Sequence, residues 1–265
     1  MARLAWHHLP PATRAAVQEH TGPFLTTTDA STGANSGVAV KAMTASGEVF
    51  IKGIPVDHRQ VKTQLREAAV NPYLPKSCPR VLWHVQAGGW DLLGFEVIEG
   101  PVADFSPGSP DLPLVVDALT ELARTPCPDI PLLSFTERYE AYSDTPELFA
   151  GDALLHTDMA PHNVLIDHAA HLIDWAWPTR GPAWADPAVW AVRLIDAGHT
   201  PQQAEQWASR LPAFQVADPG VLLAFAEANA RHWQEVQAHE PASAWKRQMA
   251  ASAIAWRDHR RHPAE

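Results

Sequence analysis

Residues 153–175 read ALLHTDMAPHNVLIDHAAHLIDW. Three short apolar runs, ALL, VLI and HLI, are each long enough for a short strand, and TDMAPHN and the turn HAA separate them. Polar groups collect where those runs end. His156, Asp158, Asn163 and Asp174 fall within nineteen positions. Asp158 and Asn163 lie in the loop between two strands, and Asp174 closes the last run. Carboxylates and an amide converging from strand ends suit a hard, oxygen-seeking cation such as Mg²⁺. A separate carboxylate beside such a cation can orient a hydroxyl and take its proton.

Upstream, the segment EVFIKG places Lys52 among apolar residues on a predicted inner strand; it is one of only five lysines. A charge in that setting needs a partner. Glu67, on the next predicted helix, is the candidate, although a helix carboxylate is by default a solvated one. A lysine held in this way can reach nucleotide phosphates. The loop STGANSG (31–37), with Gly33, Ser36 and Gly37, can lay backbone N–H groups over them. Metal ligands, a base and phosphate-neutralising groups are together the parts of phosphoryl transfer from a metal nucleotide.

The rest of the chain arranges itself around these elements. Pro10 and Pro11 open a helix through about Glu19 that Gly22 can end. FLTTTDA is β-prone. VAVKAMTA and EVFIKG form one predicted hairpin, and RVLWHVQA and WDLLGFEVIEG a second across Gly88-Gly89. DHRQVKTQLREAAV (57–70) reads as an amphipathic helix with Val61, Leu65, Ala68 and Ala69 on its buried face. After Gly100 the Pro/Gly/Ser connector PVADFSPGSPDLP marks a boundary between two lobes. Helices are predicted at about 111–124 and 134–149, then from about 184 to the end with breaks near Gly198-His199 and Pro219-Gly220. The fold class is α+β. A β-rich lobe with one key helix (1–100) precedes a mostly helical lobe (101–265).

The order of these motifs resembles the aminoglycoside phosphotransferase and choline-kinase-like branch of the protein-kinase-like fold. The resemblance spans roughly residues 20–200. It is carried by H-x-D-x-x-x-x-N, a later I-D-W and an upstream F-I-K. It implies a two-lobed small-molecule phosphotransferase that uses Mg²⁺ and moves the γ-phosphate of ATP (or GTP) to a substrate hydroxyl. On that resemblance Asp158 is the catalytic base, and His156 braces its loop. Asn163 and Asp174 bind the metal, Lys52 contacts the phosphates and Glu67 holds Lys52. FEVIEG (95–100) is then the hinge, where the backbone of Glu96, Val97 and Ile98 meets the nucleotide base. Two positions depart from the pattern. Thr157 stands where this branch commonly has Gly. ADPAVWAV supplies Asp186 of the motif D-P-A-x-D-L-A but puts Trp190 at its second acid.

The 265 residues carry 20 Lys+Arg against 30 Asp+Glu, a formal net charge of −10, and 46% are hydrophobic. That apolar share excludes a disordered chain. The acidic balance argues against nucleic-acid binding. Two cysteines make no disulfide scaffold, and no apolar run has the length of a membrane span. A cytoplasmic setting is expected, since the first residues carry no signal-peptide pattern. The spacing of His156, His162, His168 and His171 does not match a zinc site. Residues 101–152 hold 10 acids and 2 bases. They read either as solvated helix faces and helix N-terminal acids or as a wall for a cationic acceptor such as an aminoglycoside. Trp175, Trp177, Trp184 and Trp190 read as core more than as a substrate platform. Asp186 reads as a structural carboxylate, and Arg180 as a loop cation. The rival readings are a non-catalytic nucleotide-binding module and a kinase of a non-aminoglycoside metabolite or antibiotic. A protein kinase fits less well, because only thirteen residues run from Asp174 to Asp186.

Overall fold

Alternation of apolar residues builds the N-terminal sheet and decides what each of its faces does. The computed structural model describes residues 3–30 and 36–262. Helix α1 (Pro11–Thr21) ends where Gly22 takes a φ of 70°. It packs beside five antiparallel strands, β1 (Phe24–Asp29), β2 (Val38–Thr44), β3 (Gly47–Pro55), β4 (Val81–Ala87) and β5 (Trp90–Phe95), in the order β1-β2-β3-β5-β4. Val38, Val40, Ala42, Val49, Ile51, Trp90 and Leu92 point to one face, where they join Trp6, Leu9 and Val17 in a core. The two-residue period turns Ala39, Lys41, Phe50, Lys52 and Phe95 to the opposite face, along a cleft.

Helix α2 (Val61–Val70) covers that second face, and here the structure corrects the sequence. It starts four residues later than Asp57, after a turn closed by His58 N–H on Pro55 O and Val61 N–H on His58 O. Its buried residues are Gln64, Glu67 and Val70, whereas Leu65 is exposed. The reason is that the surface beneath α2 is polar. Gln64 Nε2 donates to the buried Asp91, which also meets His84 and Gln86 from the strands.

Past β5 the chain crosses to the helical region through a connector that pairs with a small hairpin. Ala103 N–H donates to Val164 O, and Ile166 N–H to Pro101 O. Gly100 is needed at this crossing, because a Cβ there would lie 2.0 Å from the Ile166 carbonyl oxygen. Helix α3 (Asp111–Ala123) buries Leu112, Val115, Ala118, Leu119 and Leu122 at three- and four-residue spacing. The helix expected over 134–149 is only α4 (Phe135–Tyr139), followed by 3₁₀ turns at Glu140–Tyr142 and Pro146–Phe149. Helix α4 ends at Tyr139 and the backbone is extended by Ser143; Pro146, which disfavours helical backbone at Thr145, opens the second 3₁₀ turn and keeps it apart from the first.

Short strands β6 (Leu133–Ser134), β7 (Ala153–Leu155) and β10 (Thr179–Gly181) form one sheet. Strands β8 (Val164–Ile166) and β9 (Ala170–Leu172) form the hairpin. Five helices follow: α5 (Ala185–Asp196), α6 (Pro201–Ala208), α7 (Pro212–Gln215), α8 (Pro219–His239) and α9 (Ala244–Arg261). The break expected at Pro219-Gly220 lies just before them. Pro219 opens α8, with the Asp218 carboxylate accepting from Gly220 and Val221 N–H. Phe135, Tyr139, Phe149, Trp184 and Phe225 stack edge to face in the helical core, and Trp175 and Trp190 are buried as well. Trp177 is the exception among the four tryptophans and stays 39% exposed. Among the described residues no helix is long and apolar enough to cross a membrane.

Candidate active site

Strand β3, helix α2 and the end of β9 bring three charges to one point. Lys52 Nζ lies 2.8 Å from Glu67 Oε2 and 2.5 Å from Asp174 Oδ1. The other Glu67 oxygen accepts the Trp175 N–H at 3.2 Å. Burial works against the Lys52 charge, but Asp174 and Glu67 outweigh it and hold its pKa above the usual lysine value. Burial pushes the Glu67 carboxyl up, with Lys52 acting against it. Lys52 draws the Asp174 carboxyl below its ordinary range. Asp174 has a φ of 60°, a conformation that Asp tolerates better than most residues.

The loop between β7 and β8 is held from below. The first turn of α5 carries Asp186, which is almost fully buried; its two oxygens accept the N–H groups of His156 and Thr157, each at 2.7 Å. This is the structural carboxylate expected from sequence. Burial raises its pKa, against the pull of His156 and those two amides. His156 Nδ1 accepts the Asp158 N–H at 3.3 Å, so its ring proton sits on Nε2, which donates to Ile173 O at 2.9 Å. Asn163 Nδ2 donates to the Asp158 carbonyl, and the Asn163 carbonyl accepts the Ile173 N–H. His156 and Asn163 thus tie the loop to the residue just before Asp174.

Thr157 has a φ of 65°, the left-handed backbone that explains why Gly suits this position. Its hydroxyl donates to Trp177 O at 3.1 Å and accepts from Arg138 Nη1 at 2.7 Å. Trp190, at the second acid position, gives the loop no hydrogen bond, since its indole N–H is without a partner among the described residues. It is wholly buried against Phe105 and Trp207. Instead Arg193, one turn further along α5, donates from Nη2 to Asp158 Oδ1 at 3.0 Å. Neither Arg193 nor Arg138 was singled out by the sequence. For Arg193 the only signal was a charge on a largely apolar helix, which is usually a solvated one, and Arg138, beside Glu137, carried none.

A cleft of about 440 Å³ opens between the sheet and this loop. Lys52, Glu67, Asn163 and Asp174 line it together with Ser36, Glu96, Val97 and Ile98. Gly37 instead pairs its N–H with Gly53 O, and Gly33 lies outside the described residues. At the predicted hinge Glu96 and Glu99 are exposed, as ordinary surface charges are; the Glu99 carboxylate pairs with Lys41, and Glu96 Oε2 accepts the Arg80 N–H. Arg180 turns away and donates to Pro128 O. For a metal, the donor set suits Mg²⁺. The Asn163 NH₂ is engaged with Asp158 O, which leaves its oxygen. With an Asp174 oxygen it makes the two-oxygen set that Mg²⁺ takes when phosphates and water supply the rest.

No protein-family model and no curated protein matches the sequence. Solved structures do match. Choline kinase LicA from Streptococcus pneumoniae superposes with a TM-score of 0.61 at 12% identity, over 93% of this chain and 99% of that one. A thermostable mutant of the aminoglycoside phosphotransferase APH(4)-Ia, in ternary complex with AMP-PNP and hygromycin B, gives 0.60 at 13% identity over 90% and 97%. The aminoglycoside phosphotransferase APH(3'')-Id from Streptomyces rimosus, in complex with ADP and streptomycin, gives 0.55 at 14% identity over 92% and 96%. The chain has the kinase-like fold shared by these phosphotransferases.

Proposed function

We propose that this protein is a small-molecule phosphotransferase that moves the γ-phosphate of ATP or GTP to a substrate hydroxyl. The observation that carries the reading is the meeting of Lys52, Glu67 and Asp174 in a cleft that Asn163 also lines, beside a braced loop that carries Asp158. The full-length likeness to kinases whose structures hold nucleotides supports it.

In this reading Lys52, held by Glu67, neutralises the phosphates, and the hinge backbone at 96–98 meets the base. Asn163 and Asp174 hold Mg²⁺, which supplies charge neutralisation on the phosphate oxygens. Asp158 orients the acceptor hydroxyl and takes its proton as the oxygen bonds to the γ-phosphorus; the bond from that phosphorus to the β-phosphate oxygen breaks and leaves the nucleoside diphosphate. Catalysis is then positioning and electrostatics. The loop's design fits that task, since the backbone N–H groups of residues 156–158 and the carbonyl of Asp158 are all tied down.

A cationic acceptor draws its support from the acidic segment 101–152. None of its ten acids lines the cleft. Asp111 accepts the Asp104 N–H, Asp104 accepts from Ser106, and Asp144 pairs with Arg231. Local capping and surface pairing account for those three.

The test is Asp158→Asn. The variant should bind Mg·ATP like the wild type, read by thermal shift, and lose phosphate transfer across an acceptor library read by mass spectrometry. Full transfer by the variant refutes Asp158 as the base. Binding without transfer in the wild type favours a nucleotide-binding module.

A further inference from the structure

Asp158 is gripped through its side chain as well as its backbone. Its Oδ1 accepts from Arg193 Nη2 at 3.0 Å, an ion pair between the loop and α5 across 35 residues of sequence. Arg193 is itself held in place. Its side chain is only 14% exposed, its Nη1 contacts Met249 Sδ at 3.2 Å, and its guanidinium carbon lies 5.6 Å from the centre of the Trp233 ring. Arg193 comes seven residues, about two turns, after Asp186 and so shares its face of the helix. One helix face thus holds the amides of His156 and Thr157 with a carboxylate and the Asp158 carboxylate with a guanidinium. Arg138 adds a second guanidinium from α4, bonded to Thr157 Oγ1, and among the described residues it makes no ion pair. The other carboxylate at the loop, Asp186, is buried beneath it.

We propose that Arg193 is a positioning residue for Asp158, and that it selects an acceptor with no ammonium group beside the reacting hydroxyl. The inference rests on the phosphotransferase reading. With Oδ1 committed to Arg193, Oδ2 is the oxygen presented to the acceptor, and the rotamer that presents it is locked before substrate arrives. The same pair means that Asp158 already has its counter-charge. An ammonium close to the reacting carbon would meet a guanidinium where it needs a carboxylate, and a like charge at that range is disfavoured. The acceptor that fits is a hydroxyl compound that is neutral or anionic at this end.

The experiment compares wild type, Arg193→Met and Arg193→Lys. A library of neutral, anionic and amino hydroxyl compounds, aminoglycosides included, is incubated with Mg·ATP and screened for one added phosphate. Turnover is then measured on the best acceptor, or on water where no library member reacts. Expected products carry no ammonium on the carbon next to the phosphorylated one. Arg193→Met should lower kcat at least tenfold with KM for ATP unchanged, and Arg193→Lys should recover part of it. A residue that only stabilises the fold would not split kcat from KM in this way. Should Arg193→Met fail to bind Mg·ADP, the Lys variant carries the comparison, and a kcat below wild type with an unchanged KM is then expected. Preferred phosphorylation beside an ammonium overturns the inference, and so does wild-type kcat in both variants. A wild type that neither binds nor consumes Mg·ATP defeats the phosphotransferase reading itself, and this inference with it.

Discussion

Replacing Thr157 by Ala and by Gly tests whether the loop between β7 and β8 is built on left-handed backbone. Both variants lose the same hydroxyl, with its bonds to Arg138 and Trp177 O. Each bond is worth about 0.5–1.5 kcal/mol, so Thr157→Ala should fall about 1–3 kcal/mol below wild type. The comparison between the two variants then isolates one methyl group. At ordinary backbone Gly is the less stable by about 0.4–1 kcal/mol, because the unfolded chain gains freedom. At the φ of 65° found here the order inverts. A Cβ in this region is disfavoured by about 1–2 kcal/mol, which leaves Gly ahead of Ala by about 1 kcal/mol after its entropy is subtracted. For a chain of this size that is roughly 2–4 °C in Tm. Urea unfolding and calorimetry of the two purified variants read it directly. Thr157→Ala equal to or more stable than Thr157→Gly would refute the left-handed assignment, and with it the explanation of why a Gly suits this place.

Asp186→Asn leaves one acceptor oxygen for two buried N–H groups; urea unfolding should show a loss of about 1–3 kcal/mol, and wild-type stability would contradict the clamp. Lys52→Met strands the Glu67 and Asp174 carboxylates, so stability should fall by about 3 kcal/mol with loss of ATP turnover, checked by calorimetry and an ADP-release assay. His232 lies in the folded protein with its pKa lowered from 6.5 to about 4, by burial and by the charge of Arg138. Between those two values the unfolded chain binds the proton and the folded one does not. The His232 contribution is therefore complete above pH 6.5, is lost as the pH falls toward 4 and levels off below, with a ceiling of about 3 kcal/mol. His232→Phe should flatten that part of the stability–pH curve measured by urea unfolding, and an unchanged slope would count against a buried histidine there.

How much of this was legible in advance depended on the range over which the forces act. The two-residue period of VAVKAMT and EVFIKG placed Lys52 on the face opposite the α1 core, because strand geometry leaves no other choice once one face is apolar. The spacing of His156, Asp158, Asn163 and Asp174 around short apolar runs gave the loop, since each group is fixed within a few residues of a strand end. The limits were equally physical. The buried face of α2 was misread because hydrophobic periodicity cannot see a polar floor; Gln64 and Glu67 face inward to meet Asp91 and Lys52. The helix over 134–149 stopped at Tyr139 and gave way to two 3₁₀ turns separated by extended backbone at Ser143, a change of backbone that hydrophobic periodicity does not register. Arg193 was passed over because nothing local distinguishes an arginine that reaches a carboxylate 35 residues away from one that reaches water. Sequence alone determined which residues share a face and which chemistry is at hand, through interactions spanning a turn or a strand. Tertiary packing decided which charges meet: Lys52 with Asp174 across 122 positions, and Asp158 with Arg193. Those pairings depend on how helices and sheet are seated, and no local pattern encodes that.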